Sequence, residues 1–230
     1  MKLPLLLSVP HAGLRVPSEV EADCILTPEQ IAADGDEQAA EIYAFEADVE
    51  IFVTTDVARA IVDLNRAEDD RRPDGAIKTH TCWNEPVYAS PLSEDVAERL
   101  IERYHRPYHA RLAEAADGRV PLAIDGHTMA AIGPPIGPMA GQERPAMCLS
   151  DVDGTSCPPE IFERLRDCLE RAFELEVAVN HPFKGGYITR THSSEMPWVQ
   201  LELSRGAFLP VEEKRRRLLE ALTEFCLQGR

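Results

Sequence analysis

Short continuous apolar runs alternate with amphipathic stretches along most of the chain. The runs are Leu3–Val9, Val49–Thr55, Val120–Ile124, Ala146–Leu149, Val177–Val179 and Trp198–Leu203. Runs of this length are typical of strands that are buried on both faces of a sheet. Their alternation with helical patterns, without a flexible linker or a repeat, predicts a single α/β domain over residues 1–230. We expect a mixed, mostly parallel sheet with helices on both faces.

Capping residues and helical spacing predict the elements between these strands. Thr27-Pro28-Glu29-Gln30 has the cap, the first-turn proline and the third-position glutamine of a helix start, and Asp34-Gly35-Asp36 interrupts the helix. A long amphipathic helix is predicted from Ser93 to about Ala116, and Pro107 should kink or split it. Two later helices are predicted, one ending near Phe173 and one starting near Pro210.

Three of the predicted strands carry a reactive side chain at or near their carboxyl ends. His11 follows the first strand, His127 follows the Val120–Ile124 strand, and Glu202 lies within the last strand. Because parallel strands share one carboxyl edge, we expect these side chains to lie close together. Two histidines and one carboxylate are sufficient for a catalytic zinc ion, and the acidic break at residues 34–36 supplies candidates for the acid. The pattern favours metal-assisted hydrolysis with Glu202 as the general base, because partial burial raises a carboxyl pKa.

Ordinary structural roles are the alternative for each of these residues. A histidine after a strand is commonly a loop residue bonded to the backbone, and Glu202 would face water if its strand lay at a sheet edge. The segment 57–66 has the composition of extended apolar chain, and its two arginines, Arg59 and Arg66, require solvent, a carboxylate or a cleft. They could equally form surface ion pairs. Cys157 at a helix start could be a nucleophile, although a buried structural cysteine is the common case.

Charge and cysteine content narrow the function class. The formal net charge of −16 argues against binding of nucleic acid and against docking on anionic lipid, since both depend on basic residues. In such an acidic protein, an arginine held in a cleft would suit an anionic substrate. No apolar run reaches the length of a membrane span, and the apolar start lacks a basic region and a cleavage site, so we expect a cytoplasmic protein. Its 6 cysteines lack a C-x-x-C pair and are expected to be reduced and mostly buried.

Six ordered segments resemble the signature blocks of the N-formylglutamate amidohydrolase family. They are residues 8–13, 62–66, 125–129, 154–157, 185–190 and 200–205, and the similarity extends from Leu3 to about Phe208. The resemblance implies a zinc-dependent amidohydrolase with a fold similar to the zinc carboxypeptidases. It also implies cleavage of a small anionic N-acyl amino acid, N-formyl-L-glutamate, to formate and L-glutamate in histidine degradation.

The resemblance further implies roles for individual residues. His11, Asp36 and His127 would bind one divalent metal ion, zinc, and Glu202 would be the base. Asn65 would form, with its neighbour Arg66, a pair like the one with which zinc carboxypeptidases grip a substrate carboxylate. Asp125 is expected to support the metal site and not to take part in the chemistry.

A dicarboxylate substrate requires strong anion recognition, and the planar fork of arginine meets a carboxylate with two hydrogen bonds. Arg66 and Arg190 are the first choices for this task. Arg59 is expected to take a catalytic role by polarising the tetrahedral oxyanion. Tyr187 and Thr189 are expected to line the substrate pocket, although each could serve packing alone.

The sequence departs from the family pattern at three positions. Ala12 replaces the usual serine after the first histidine, Gly126 stands in the block before His127, and Ser204 replaces an asparagine. These changes lie beside the expected catalytic residues and bear on the identity of the substrate.

Two alternative functions are compatible with the sequence. One is a related zinc hydrolase of another N-acyl amino acid or of a peptide C-terminus. The other is a non-catalytic binding protein that kept the fold.

Overall fold

A six-stranded sheet runs through the protein, which is described here by a computed structural model covering residues 2–229. The strands are β1 (Leu3–Val9), β2 (Val49–Thr54), β3 (Ala123–Met129), β4 (Met147–Ser150), β5 (Ala178–Val179) and β6 (Trp198–Ser204). Their order is β2-β1-β3-β6-β4-β5, and every neighbouring pair is parallel except β4 and β6. The prediction of a mixed, mostly parallel sheet is therefore confirmed.

Helices cover both faces of this sheet, as the sequence pattern predicts. They are α1 (Pro28–Asp34), α2 (Ala39–Ile42), α3 (Glu94–Leu100), α4 (Arg106–Ala115), α5 (Pro159–Phe173), α6 (Tyr187–His192) and α7 (Val211–Gln228). Helices α2, α5 and α7 pack on one face, and α4 and α6 pack on the other. Strand β1 serves both layers because its side chains alternate: Leu5 and Leu7 enter the first core, and Leu6 enters the second.

The long helix before β3 is divided close to Pro107. A π-helical turn at Ile101–His105 separates α3 from α4, and Arg106 donates its backbone N–H to the carbonyl of Ile101. Proline lacks an N–H and its ring clashes with the carbonyl four residues earlier, so a wider turn relieves the conflict. The predicted split is confirmed, and its form is a π-helical turn.

Three local predictions were wrong. The segment 57–66 forms isolated bridges and tight turns instead of extended chain, because backbone N–H groups bond within the segment, as between Val62 and the Ala58 carbonyl at 3.1 Å. Residues 187–192 form the short helix α6, where no helix is predicted. Strand β3 begins three residues later than the apolar run suggests and continues to Met129, so that His127 lies inside the strand and not beyond it.

All the cysteines except Cys24 are buried, as expected from the sequence. No helix among residues 2–229 combines the length and the apolar character needed to cross a lipid bilayer.

Candidate active site

Three buried side chains from separate parts of the chain meet at the carboxyl edge of the sheet. His11 lies two residues beyond β1, Asp36 lies in the connection between α1 and α2, and His127 lies in β3. One potential ligand atom from each of the three lies within 4.8 Å of the others. The backbone N–H of Asp36 donates to the carbonyl of His11 at 3.2 Å, which ties the connection to the end of β1. This group could hold one metal ion.

Each histidine of this group has a carboxylate behind it. Nε2 of His127 is 2.8 Å from Oδ2 of Asp125, and Nε2 of His11 is 2.9 Å from Oδ1 of Asp63. The Nδ1 atoms of both rings instead face Oδ2 of Asp36, at 2.9 Å from His127 and 3.5 Å from His11. Carboxylates in this position orient metal-binding imidazoles and hold the proton on the far nitrogen. Asp125 lies where a residue that supports the metal site is expected, next to His127. The corresponding position of Asp63 next to His11 is not predicted from the sequence.

The carboxylates of the group are held in the ionised form. Burial raises the pKa of Asp36, but His11 and His127 outweigh it, and the pKa lies below its ordinary value. Burial likewise acts against ionisation of Asp63, and the charges of Arg59 and His11 lower its pKa well below the ordinary value. Ionised carboxylate and two imidazole nitrogens form a donor set that zinc accepts, so the residues present fit a divalent metal ion.

Glu202 lies directly across from His127 in the register of β3 and β6. Residues paired in this way point to the same face of a parallel sheet, so the Glu202 carboxylate lies beside the candidate metal ligands. Nε2 of Gln200 donates to Oε1 of Glu202 at 2.7 Å. Burial raises the pKa of Glu202 to about 7. Because β6 lies between β3 and β4, the alternative of an exposed edge strand is wrong.

Gly126, next to His127 in β3, lets the Tyr43 ring pack closely against the strand. Tyr43 is the C-cap residue of α2. A β-carbon at Gly126 would lie 2.8 Å from Cε1 of its ring. The Tyr43 hydroxyl donates to the carbonyls of His127 at 2.9 Å and Leu201 at 3.2 Å. The glycine that departs from the family pattern thus admits a tyrosine that joins β3 to β6.

A cavity of about 190 Å³ opens beside these residues. This volume is below the usual range for drug-sized ligands and suits a molecule of amino-acid size. Its wall includes His11, Asp36, Arg59, Asn65, Arg66, His127, Arg144, Gln200, Glu202 and Arg205. Four arginines in one small cavity of an acidic protein indicate an anionic ligand.

Two of the three arginines expected from the sequence, Arg59 and Arg66, lie in the cavity wall and also form ion pairs. Nε of Arg59 donates to Oδ2 of Asp63 at 3.0 Å, and its Nη1 donates to the carbonyl of Asp34 at 2.7 Å. Arg66 makes two hydrogen bonds to Asp74. Its Nε donates to the Asp74 carbonyl at 3.1 Å, and its Nη2 donates to Oδ2 at 3.1 Å. Arg59 is thereby fixed close to the histidine groups.

The side chain of Asn65 is used inside the protein. Its Nδ2 lies 3.3 Å from Oδ2 of Asp125 and 3.2 Å from Nε2 of His127, and its Oδ1 accepts the backbone N–H of Ile188 at 2.8 Å. A β-carbon at Gly186 would overlap the Asn65 amide. Asn65 therefore joins the metal group to the start of α6.

Three residues predicted to bind substrate are not brought to the cavity wall, because they lie in α6, a helix that the sequence pattern does not predict. Thr189 is fully buried under the helix, and the Tyr187 ring contacts His109 with ring centroids 5.2 Å apart. Arg190 is exposed and donates to the Gly185 carbonyl at 3.0 Å. Gly185 and Gly186, just before the helix, line the cavity in their place.

Two further arginines of the cavity wall, Arg144 and Arg205, are not predicted from the sequence. Arg205 follows β6 directly, so the rule that ligands gather at the carboxyl ends of strands could have found it. Arg144 lies in the long connection between β3 and β4, where no periodic pattern indicates which side chains turn inward.

A second histidine cluster supports the cavity from behind. Nε2 of His105 donates to the carbonyl of Arg66 at 2.8 Å, and Nε2 of His109 donates to the carbonyl of Leu64 at 2.9 Å. The two rings stack with centroids 4.4 Å apart, and Nδ1 of His109 lies 2.9 Å from Nε2 of His192. These histidines bind groups of the protein interior. They hold the two peptide groups on either side of Asn65.

Comparisons with known proteins agree with one another. The model of the family described as N-formylglutamate amidohydrolase matches residues 3–209. A curated N-formylglutamate deformylase from Pseudomonas putida is 29% identical over 228 residues, which cover 92% of this chain and 84% of that protein. Its counterpart from Pseudomonas aeruginosa is 26% identical over 224 residues, with 90% and 83% covered.

One solved structure has the same fold along nearly the whole chain. The crystal structure of an N-formylglutamate amidohydrolase from Ralstonia eutropha JMP134 superposes with a TM-score of 0.80 at 24% identity, covering 99% of this chain and 93% of that one. At this level of identity, the likeness concerns the fold.

Proposed function

The chain belongs to the N-formylglutamate amidohydrolase family, and we propose that it hydrolyses N-formyl-L-glutamate to formate and L-glutamate. The observation that carries this proposal is the position of Glu202, directly across from His127 and on the wall of a small cavity with four arginines. A buried carboxylate beside a possible metal site, facing an anion-binding cavity, suits hydrolysis of a small anionic amide. The names of the two Pseudomonas relatives support the choice of substrate.

We propose that the cofactor is one divalent metal ion, zinc, held by His11, Asp36 and His127. The support is the donor set of two imidazole nitrogens and one ionised carboxylate, together with the carboxylates behind both rings. When bound, such an ion polarises a carbonyl and lowers the pKa of water.

Glu202 is the proposed general base. It accepts a proton from the attacking water as the water oxygen bonds to the formyl carbon, and it returns the proton to the amine nitrogen as the C–N bond breaks. A pKa of about 7, raised by burial, suits both directions of transfer. Gln200 holds one carboxylate oxygen by its hydrogen bond of 2.7 Å, which leaves the other oxygen for the proton.

Arg66 is proposed to bind the α-carboxylate of the substrate, because it lies in the wall next to the segment that Asn65 ties to His127. Arg59 is proposed to stabilise negative charge that develops on the formyl oxygen, since Asp63 fixes its guanidinium near the metal ligands. Asn65 is now proposed as a positioning residue. A role in histidine degradation and a cytoplasmic location stay predictions from the sequence.

Metal content and turnover, measured on the same preparation, test the proposed function. We expect one zinc ion per chain and hydrolysis of N-formyl-L-glutamate in preference to N-acetyl-L-aspartate and a short peptide. Faster hydrolysis of one of the other substrates would replace the proposed substrate with a related one. Bound metal without hydrolysis of any substrate would support the non-catalytic alternative.

A further inference from the structure

Arg144 is the cation of the cavity wall that has no carboxylate partner within residues 2–229. The other basic side chains of the wall form ion pairs, Arg59 with Asp63, Arg66 with Asp74, Lys184 with Asp153 and Arg205 with Glu37. Arg144 donates from Nη2 to the carbonyl of Pro138 at 2.8 Å, and its buried Nε has no hydrogen-bond partner. No acid within residues 2–229 therefore forms an ion pair with Arg144, although the Glu202 carboxylate in the same wall acts on its charge from a longer distance.

This deficiency sets Arg144 apart from the other cations of the cavity wall, in a chain with 40 acidic and 24 basic residues. A partly buried guanidinium loses hydration, and burial lowers the pKa of Arg144. Such a cost is ordinarily offset by a carboxylate held close to the guanidinium. Because the chain provides acids for its other cavity cations, the missing partner of Arg144 is best supplied by a ligand.

The surroundings of Arg144 hold its guanidinium in place. Its guanidinium lies over the Phe183 ring, 5.1 Å from the centroid. Its backbone N–H donates to the Ala131 carbonyl at 2.8 Å. The connection between β3 and β4, which contains Arg144, is also bound to the neighbouring wall, because the N–H of Ile136 donates to the Cys82 carbonyl at 3.0 Å. An arginine fixed in this way loses little side-chain freedom on binding an anion.

We propose that Arg144 binds the side-chain carboxylate of the substrate and so selects an acidic N-formyl amino acid over a neutral one; this rests on the proposed function. A dicarboxylate presents two anionic groups, and one guanidinium can pair with only one of them bidentately. Arg66 lies in the segment tied to the metal group, and Arg144 lies in the β3–β4 connection. The two arginines thus come from different walls and can divide the two carboxylates between them.

The test compares N-formyl-L-glutamate with N-formyl-L-glutamine, which has the same shape without the side-chain charge. For Arg144→Gln, we expect kcat/KM to fall about 10- to 100-fold with the glutamate substrate and less than about threefold with the glutamine substrate. Arg144→Lys should keep an intermediate preference, since lysine retains the charge without the fork. Lys184→Gln is the matched control, because that cavity cation already has Asp153 as partner, and its preference should stay within about twofold of the wild type.

Equal losses with both substrates would overturn the proposal, because Arg144 would then act on the reaction or on the structure. An unchanged preference in Arg144→Gln would overturn it as well. Failure of the proposed function can be distinguished from failure of this proposal, because the wild-type enzyme would then not hydrolyse N-formyl-L-glutamate. In that case, calorimetric binding of L-glutamate and L-glutamine to the zinc-loaded protein decides the question. Weaker binding of glutamate alone in Arg144→Gln supports the subsite, and equal binding of the two amino acids by the wild type overturns it.

Discussion

Asp63 accepts a hydrogen bond of 2.9 Å from Nε2 of His11, although 52 residues separate them in the sequence. Asp63 lies in none of the strands, and the turns of the segment 57–66 bring its carboxylate behind the ring. The other oxygen of Asp63 accepts from Arg59 at 3.0 Å. One carboxylate thus connects a possible metal ligand with a cation of the cavity wall.

Replacement of Asp63 by asparagine should weaken metal binding. The His11 ring would lose the carboxylate that holds its proton on Nε2, and we expect zinc affinity to fall about 10- to 100-fold. Competition with a chromogenic chelator measures the change. Asp74→Asn is the matched control, because Asp74 also pairs with a cavity arginine but contacts neither histidine ring. Equal zinc affinities for Asp63→Asn and the wild type would contradict the supporting role of Asp63 at His11.

Glu202→Gln should separate metal binding from catalysis. Glutamine has nearly the same shape but cannot take a proton, so we expect kcat to fall about 10²- to 10⁴-fold while zinc remains bound. Turnover and metal content are measured on one sample. A Glu202→Gln enzyme with full activity would rule out Glu202 as the base, and loss of zinc in this variant would assign Glu202 to the metal site.

The free energy of unfolding should depend on pH through the titration of His109. Burial and, to a smaller extent, the neighbouring His105 lower the pKa of His109 to about 3. In the unfolded chain the pKa is about 6.5, so the stability from the neutral ring is complete above that value and is lost as the pH falls towards 3. Each pH unit in this window should cost up to about 1.4 kcal/mol of unfolding free energy.

Urea unfolding at pH 7 and pH 5 measures this effect as the difference between the wild type and His109→Gln. Glutamine can still donate to the Leu64 carbonyl but does not titrate. The variant should therefore lose less stability between the two pH values than the wild type. Identical losses in both proteins would show that the ring does not control acid stability.

Gly126→Ala should destabilise the fold. A β-carbon there would lie 2.8 Å from Cε1 of Tyr43, so the ring must shift away from the β3 strand. We expect a loss of about 1–3 kcal/mol in the free energy of unfolding, as for other overpacked cores. Gly35→Ala is the control, since its φ of −74° suits alanine and its nearest neighbour is 3.4 Å away. If both substitutions cost the same, the Tyr43 contact is not the cause.

The strand pattern and the metal group could be read from the sequence because both depend on local signals. Continuous apolar runs mark strands buried on two faces, and the polar residues at their ends gather at one sheet edge in any parallel arrangement. This reasoning places His11, His127 and Glu202 together, and the family resemblance adds Asp36. The family itself is confirmed by the match over residues 3–209.

Local signals fail where long-range contacts determine the conformation. The apolar segment 57–66 resembles a strand, yet it forms turns and isolated bridges, while Asp63 and Asn65 reach into the metal group. Helix α6 has only six residues and little apolar periodicity, and it removes Tyr187, Thr189 and Arg190 from the cavity.

The sequence by itself determined the alternation of strands and helices, the carboxyl-edge position of the reactive residues and the acidic background against which a cavity arginine is informative. The tertiary structure alone decided which carboxylates stand behind His11 and His127, and which arginines face the cavity. The reason is physical. Strand burial is a property of a few consecutive side chains, whereas the pairing of a charge depends on groups that folding brings together from distant segments. Arg144, which folding leaves without such a partner, could therefore be recognised only in the folded protein.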